Sequence, residues 1–125
     1  MNLLLDTHVF LWCVLADQKL TKKAKDMISQ ADQVYISSAS IWELTIKKGL
    51  KKWEGDIEEL LFAISASGFS ELPVKNQHAV AVLRLQDLHR DPFDRLLIAQ
   101  AISEPLVFLT ADKQLEGYSS LVTLI

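Results

Sequence analysis

One cysteine, three prolines and four glycines in 125 residues leave little room for several classes of protein. A lone Cys13, set in an apolar run, excludes an internal disulfide and a cysteine-ligated metal cluster and fits a small core residue in a reducing compartment. Scarce glycine and proline, with no repeat or low-complexity run, exclude a linker-divided or fibrous chain, so a single domain spanning residues 1–125 is expected. No basic segment precedes the apolar N-terminus, which Asp6 and His8 interrupt, and Val9 to Ala16 is far shorter than the roughly 20 residues of a membrane span. A cytoplasmic protein without membrane attachment is expected. There is also no excess of positive charge: the net charge is −3, which at first argues against a nucleic-acid partner.

What is present is apolar material in short, regularly spaced blocks, half of the residues being hydrophobic. Asn2 to Leu5 is a continuous apolar run of the kind a strand covered on both faces shows, and Asp6-Thr7 ends it with residues suited to start a helix over 8–16. A second helix is expected over 20–31 with Thr21 as its cap, then a β-branched and aromatic strand at Val34-Tyr35-Ile36. Ser40-x-x-Glu43 matches a capping box, and Gly49 is placed to end that helix in a left-handed conformation. Residues 56–67 form an amphipathic pattern with Ile57, Leu60, Leu61 and Ile64 on one side, closed by Gly68. Pro73 limits 69–74 to an edge segment, and a helix over 76–85 is expected to bury Ala79, Val80, Val82 and Leu83 while leaving His78 without an assigned place. Leu106 to Leu109 is the clearest strand, Thr110-Ala111-Asp112 a strand-to-helix turn, and Leu121 to Leu124 a last short strand. Strands alternating with helices predict an α/β fold with a short, mainly parallel central sheet.

The stretch His89-Arg90-Asp91-Pro92-Phe93-Asp94-Arg95 concentrates the chemistry. Asp91 reads as the N-cap of a helix whose first position is Pro92, and Asp94 lies in its first turn near the positive end of the helix dipole. Taken alone, the two carboxylates are a variant of a capping box. Arg95 reads as an ion-pair partner or a substrate contact. Three further acids change the balance: Asp6 and Asp112 directly follow strands, and Glu43 lies near a helix start, so with Asp94 all four fall where the carboxyl ends of parallel strands meet helix N-termini. Setting these four aside raises the net charge of the remainder from −3 to +1, with lysines clustered at Lys22, Lys23, Lys25 and at Lys47, Lys48, Lys51, Lys52. Lys47 and Lys48 fit equally well as dipole-complementing charges in a last helical turn and as RNA contacts.

Four carboxylates in one pocket repel each other unless a cation joins them. Oxygen-only ligation suits Mg²⁺ or Mn²⁺, and the shortage of Cys and suitably spaced His argues against zinc. Hydrolysis at phosphorus is the chemistry such an ion supports. Thr7 and Thr110 are placed to hydrogen-bond to the carboxylates, although helix capping is the commoner use of threonine there.

Met1 to His8, Ser38-Ala39-Ser40-Ile41-Trp42-Glu43, His89 to Ala101 and Leu109 to Asp112 together resemble the successive motifs of a PIN domain, specifically of VapC-type toxin ribonucleases, over essentially the whole chain. The resemblance implies a three-layer fold and a metal-dependent endoribonuclease that leaves 5′-phosphate and 3′-hydroxyl ends. It also implies a type II toxin-antitoxin role, a small cognate antitoxin and a homodimer. The family's acidic residues fall on Asp6, Glu43, Asp94 and Asp112, which leaves Asp91 to capping. An antitoxin would bring Arg or Lys to the acidic pocket and an apolar segment beside it, near Trp12, Trp42 or Trp53. Two other functions compete with a toxin: an RNA-processing nuclease of the same fold, and an aspartate-dependent phosphatase using Asp6. The second is discouraged because Asp6-Thr7-His8 lacks the second acid of an Asp-x-Asp loop. A protein whose acidic pocket only binds a basic partner is the non-enzymatic reading.

Overall fold

The structure is a computed structural model that describes residues 1–125. Its elements run β1 (Asn2–Leu5), α1 (Thr7–Leu15), α2 (Lys22–Gln30), β2 (Gln33–Ser37), α3 (Ser38–Gly49), α4 (Ile57–Ala66), β3 (Ser70–Leu72), α5 (Asn76–Ala81), α6 (Pro92–Ser103), β4 (Val107–Thr110) and β5 (Val122–Leu124). A 3₁₀ turn at Val82–Arg84 continues α5, and another covers Lys113–Tyr118. The five strands form one sheet in the order β3-β2-β1-β4-β5, with every neighbouring pair parallel. No helix is long and apolar enough to cross a membrane.

The continuous apolar run of β1 follows from its central place, since Leu3, Leu4 and Leu5 are all fully buried. Side chains alternate across the sheet. Leu3, Leu5, Val34, Ile36 and Leu109 pack with Phe10, Ala24, Leu44 and Leu60 on one face, whereas Leu4, Phe108 and Val122 pack with Leu97, Ile98 and Ala101 of α6 on the other. This is the expected α/β architecture with three layers.

Chain order fixes the site's position. The chain winds outward from β1 to β2 to β3, then returns to place β4 on the other side of β1. The direction of winding therefore reverses between β1 and β4, and a crevice opens at their carboxyl ends. Asp6 N–H donates to Leu109 O across this junction at 2.9 Å.

Several helix ends differ from the sequence expectations. α3 starts directly from β2 with no loop, so the cap is Ser37, whose hydroxyl oxygen accepts Ala39 N–H at 3.0 Å. Ser40 and Glu43 are thus released from the predicted capping box, with Glu43 in the second turn. At its other end α3 includes Gly49, and the left-handed residue is Lys51 (φ 59°). Lys52 N–H donates to Lys47 O and Lys51 N–H to Lys48 O, the Schellman pattern, with its αL position two residues beyond Gly49. Gly68 fills that position after α4 (φ 75°), as expected. On α4, Ile57, Leu60 and Ile64 face the core but Leu61 is exposed.

The largest departure is α5. Val80 and Leu83 are exposed, Ala79 is exposed and Val82 half-buried, while His78 is fully buried. His78 Nδ1 accepts Lys75 N–H at 3.0 Å, much as a Glu does in a capping box, and its Nε2 reaches Glu104 at 2.5 Å. Beside it, the fully buried Gln100 of α6 accepts the Ser37 hydroxyl at 2.5 Å and donates to Pro73 O at 3.3 Å. A buried polar chain therefore ties α5 and α6 to the junction of β2 and α3. Its hydrogen-bonding demand outweighs the apolar pattern that pointed Val80 and Leu83 inward.

Candidate active site

Asp6 ends β1 and is 4% exposed, and Asp112 follows β4; both line one cavity with His8, Trp12 and Ala111. Thr110, the last residue of β4, donates its hydroxyl to Asp6 Oδ2 at 2.5 Å. The Thr7 hydroxyl lies 2.8 Å from Ser40 Oγ and 3.1 Å from Glu43 Oε1. Both threonines therefore orient acidic side chains. Lys47, one turn along α3, holds Glu43 Oε2 at 2.9 Å, so it serves the site's electrostatics as well as the helix end.

Asp94 comes from α6. Asp91 is the cap: its Oδ1 accepts Phe93 N–H at 2.8 Å and Asp94 N–H at 3.3 Å, with Pro92 at the first helical position. The capping role of Asp91 matches the expectation. Replacing Asp91 with Ala is expected to cost about 1 kcal/mol of stability, and Asp91→Asn much less, as thermal melts of the two variants would register.

The electrostatics of the cluster favour a cation. Burial, reinforced by the charges of Asp6, Asp91 and Glu43, pushes the Asp94 carboxyl up to about 7, against the lowering effect of a His89 hydrogen bond. Asp6 is likewise pushed up, chiefly by burial and further by Glu43, although Thr110 and His8 act the other way. Lys47 pairs only with Glu43, so neither aspartate has a lysine or arginine to balance it. Such a set of hard oxygen donors fits a divalent cation, which would favour the ionised forms of both aspartates.

The structure also brings in a residue that sequence reasoning passed over. His89 Nε2 lies 3.1 Å from Asp94 Oδ2, and ligand atoms of His89, Asp94 and Asp112 all fall within 4.8 Å of one another. The available signal was a histidine five residues before Asp94 in the same motif, but a loop residue's direction is not set by periodicity. Arg95 makes no ion pair. It donates to the carbonyls of Gln86 (2.9 Å), His89 (3.4 Å) and Val82 (3.4 Å) and to the Tyr118 hydroxyl (3.1 Å), fixing the loop before α6.

Beside the acids runs a groove lined by Glu43, Lys47, Lys52, Arg90 and Phe93. Trp42, 59% exposed, meets Phe93 edge-on at 5.3 Å. Trp12 lies in the Asp6 cavity, and Trp53 sits 5.9 Å below the Lys48 ammonium.

Comparison with known proteins agrees with this geometry. The chain is 26% identical over 126 residues to Ribonuclease VapC22 of Mycobacterium tuberculosis, covering 94% of this chain and 92% of that protein. Its fold is similar to a chain in the crystal structure of VapBC2 from Rickettsia felis bound to a promoter DNA fragment, with a TM-score of 0.69, 16% identity and coverage of 100% of this chain and 98% of that one. A chain of a toxin-antitoxin complex from Klebsiella pneumoniae gives a TM-score of 0.63 at 20% identity, covering 91% and 90%. Residues 3–120 match the PIN domain. With its strand order, its acidic crevice and this match along nearly its whole length, the chain belongs to the PIN domain family.

Proposed function

We propose that this protein is a Mg²⁺- or Mn²⁺-dependent endoribonuclease acting as the toxin of a type II toxin-antitoxin pair. The observation that carries the proposal is the placement of Asp6 and Asp94, two carboxylates pushed toward protonation, at the switch point of a sheet in a chain similar throughout to a VapC ribonuclease. Asp6, Glu43, Asp94 and Asp112 would hold the ion. When bound, a divalent cation supplies charge neutralisation at the phosphate and a lowered pKa for water.

The chain's own residues do the rest. Thr110 and Thr7 hold Asp6 and Glu43 in fixed rotamers, and the Asp91 cap fixes the first turn from which Asp94 projects. Lys47 pairs with Glu43 and, with Lys52 and Arg90, lines the groove with positive charge suited to the RNA backbone. Water oxygen forms the new bond to phosphorus, the P–O3′ bond breaks, and the products are a 5′-phosphate and a 3′-hydroxyl.

The partners follow from the same reading. A small antitoxin would place Arg or Lys among the acids and an apolar segment against Trp42 and Phe93, and two copies of the chain would form a homodimer. The test is incubation of the purified protein with total RNA, mapping the cleaved ends. Cleavage is expected with Mn²⁺ or Mg²⁺ and abolished by EDTA; persistence in EDTA, or in Asp6→Asn at an unchanged rate, would overturn the proposal.

A further inference from the structure

The four acids do not account for every donor atom turned toward the crevice. His89 is a loop residue with a side chain 21% exposed, and the one polar partner of its ring is Asp94, at 3.1 Å. Neither a cap nor a core contact explains that orientation, and its backbone is held with care: the His89 carbonyl accepts from Arg95 Nη1 at 3.4 Å and from the Tyr118 hydroxyl at 3.3 Å. Arg95 also lies over the Tyr118 ring, 5.9 Å from its centroid, so the two groups holding His89 brace each other.

We infer that His89 is a direct nitrogen ligand of the cation held by Asp94 and Asp112, and that it biases the site toward Mn²⁺ over Mg²⁺. The inference rests on the reading of the crevice as a divalent-metal site. In an octahedral site with bonds of about 2.1 Å, neighbouring ligand atoms lie roughly 3 Å apart and opposite ones roughly 4.2 Å. His89 Nε2 and Asp94 Oδ2 are at the first spacing, and the three-residue set spans no more than 4.8 Å. In the metal-free protein Nε2 and Asp94 Oδ2 share one hydrogen bond; ligation needs the Nε2 lone pair, so the imidazole binds as the Nδ1–H tautomer. Imidazole nitrogen is a poor donor for strongly hydrated Mg²⁺ and a better one for transition-metal ions, which gives the bias its sign.

The rival role is that of a hydrogen-bond donor that merely orients Asp94. Pulsed EPR of the Mn²⁺-loaded full-length protein separates the two, because a ligated imidazole gives ¹⁴N modulation. The modulation should be present in the wild type and in His8→Ala, which controls for the histidine lining the cavity of Asp6 and Asp112, and absent in His89→Ala. Calorimetric titration with each metal salt should show the ratio of Mn²⁺ to Mg²⁺ affinity falling about tenfold or more in His89→Ala, a loss on the scale that disturbing a metal ligand's environment produces. Circular dichroism of the metal-free variants checks that they fold. Absence of ¹⁴N modulation in the wild type, its survival in His89→Ala, or equal weakening of both metals overturns the assignment. If the wild type cleaves RNA with Mn²⁺ yet shows no ¹⁴N modulation, the ligand assignment alone fails; if it binds Mn²⁺ through His89 but cleaves no RNA, the ribonuclease reading alone fails.

Discussion

Asp94→Asn is expected to lower RNA cleavage by at least about a hundredfold while making the metal-free protein more stable at neutral pH. Disturbing even the groups behind a metal ligand costs roughly 10–100-fold in affinity or activity, and in the proposed site Asp94 would be one of the donors themselves. The stability gain has a separate cause. The Asp94 carboxyl titrates at about 7 in the folded protein against 3.8 for the unperturbed group, so between those values the folded state binds more protons than the unfolded one. Stability from this group is therefore greatest at the acid end of the window and falls as pH rises through about 7. Asp6, shifted in the same direction, adds to the trend. Melts in EDTA should show Asp94→Asn gaining on the wild type from about pH 5 to about pH 8, and a divalent cation should reverse the order by binding the wild type alone. A wild-type melting temperature that tracked the variant's across this range would contradict the buried, mutually repelling arrangement.

Gln100→Leu should produce the largest purely structural loss, about 2–4 kcal/mol in chemical denaturation, because it leaves buried polar groups without partners. The Ser37 hydroxyl loses its acceptor and the Pro73 carbonyl loses a donor, in a region where Gln100 and Ser37 are both fully buried. Ser37 is also the cap of α3, the helix that carries Glu43. Cleavage should consequently fall more than the unfolded fraction explains, and Mn²⁺ affinity should weaken as Glu43 shifts. Gln100→Glu separates packing from hydrogen bonding, since it keeps the shape and the acceptor for Ser37 but cannot donate to Pro73. Equal stability of Gln100→Leu and wild type would show that the buried chain does not hold these elements together.

Much of the site was legible in the sequence because Asp6, Asp94 and Asp112 lie at element boundaries with their own local signals. Asp6 and Asp112 follow short apolar runs, and Asp91-Pro92 announces the helix whose first turn carries Asp94. The roles of Thr7 and Thr110 were legible for the same reason, being adjacent to those boundaries. Errors arose where boundary signals competed. Ser40-x-x-Glu43 has the form of a capping box, but Ser37 lies at the true junction of strand and helix, and only the absence of a loop after β2 decides between them.

The α5 segment shows the other kind of error. Its apolar residues have the spacing of a buried face, yet a histidine with three polar neighbours, Lys75, Glu104 and Gln100, occupies the interior. Periodicity records which residues are apolar; it does not record which polar residues find partners far away in the chain.

By itself, then, the sequence determined the alternation of strands and helices, the central place of Leu3-Leu4-Leu5, the cap that starts α6 and the placement of Asp6, Asp94 and Asp112 at strand and helix ends. These depend on interactions within a few residues, or on a strand being covered on both faces. Tertiary structure alone decided that β4 returns beside β1, which brings Asp6 and Asp112 to one cavity, that Lys47 neutralises Glu43, and that the loop before α6 turns His89 toward Asp94. Those facts depend on distances between residues far apart in the chain or on the path of an irregular loop, and neither has a period or a local signature to be read.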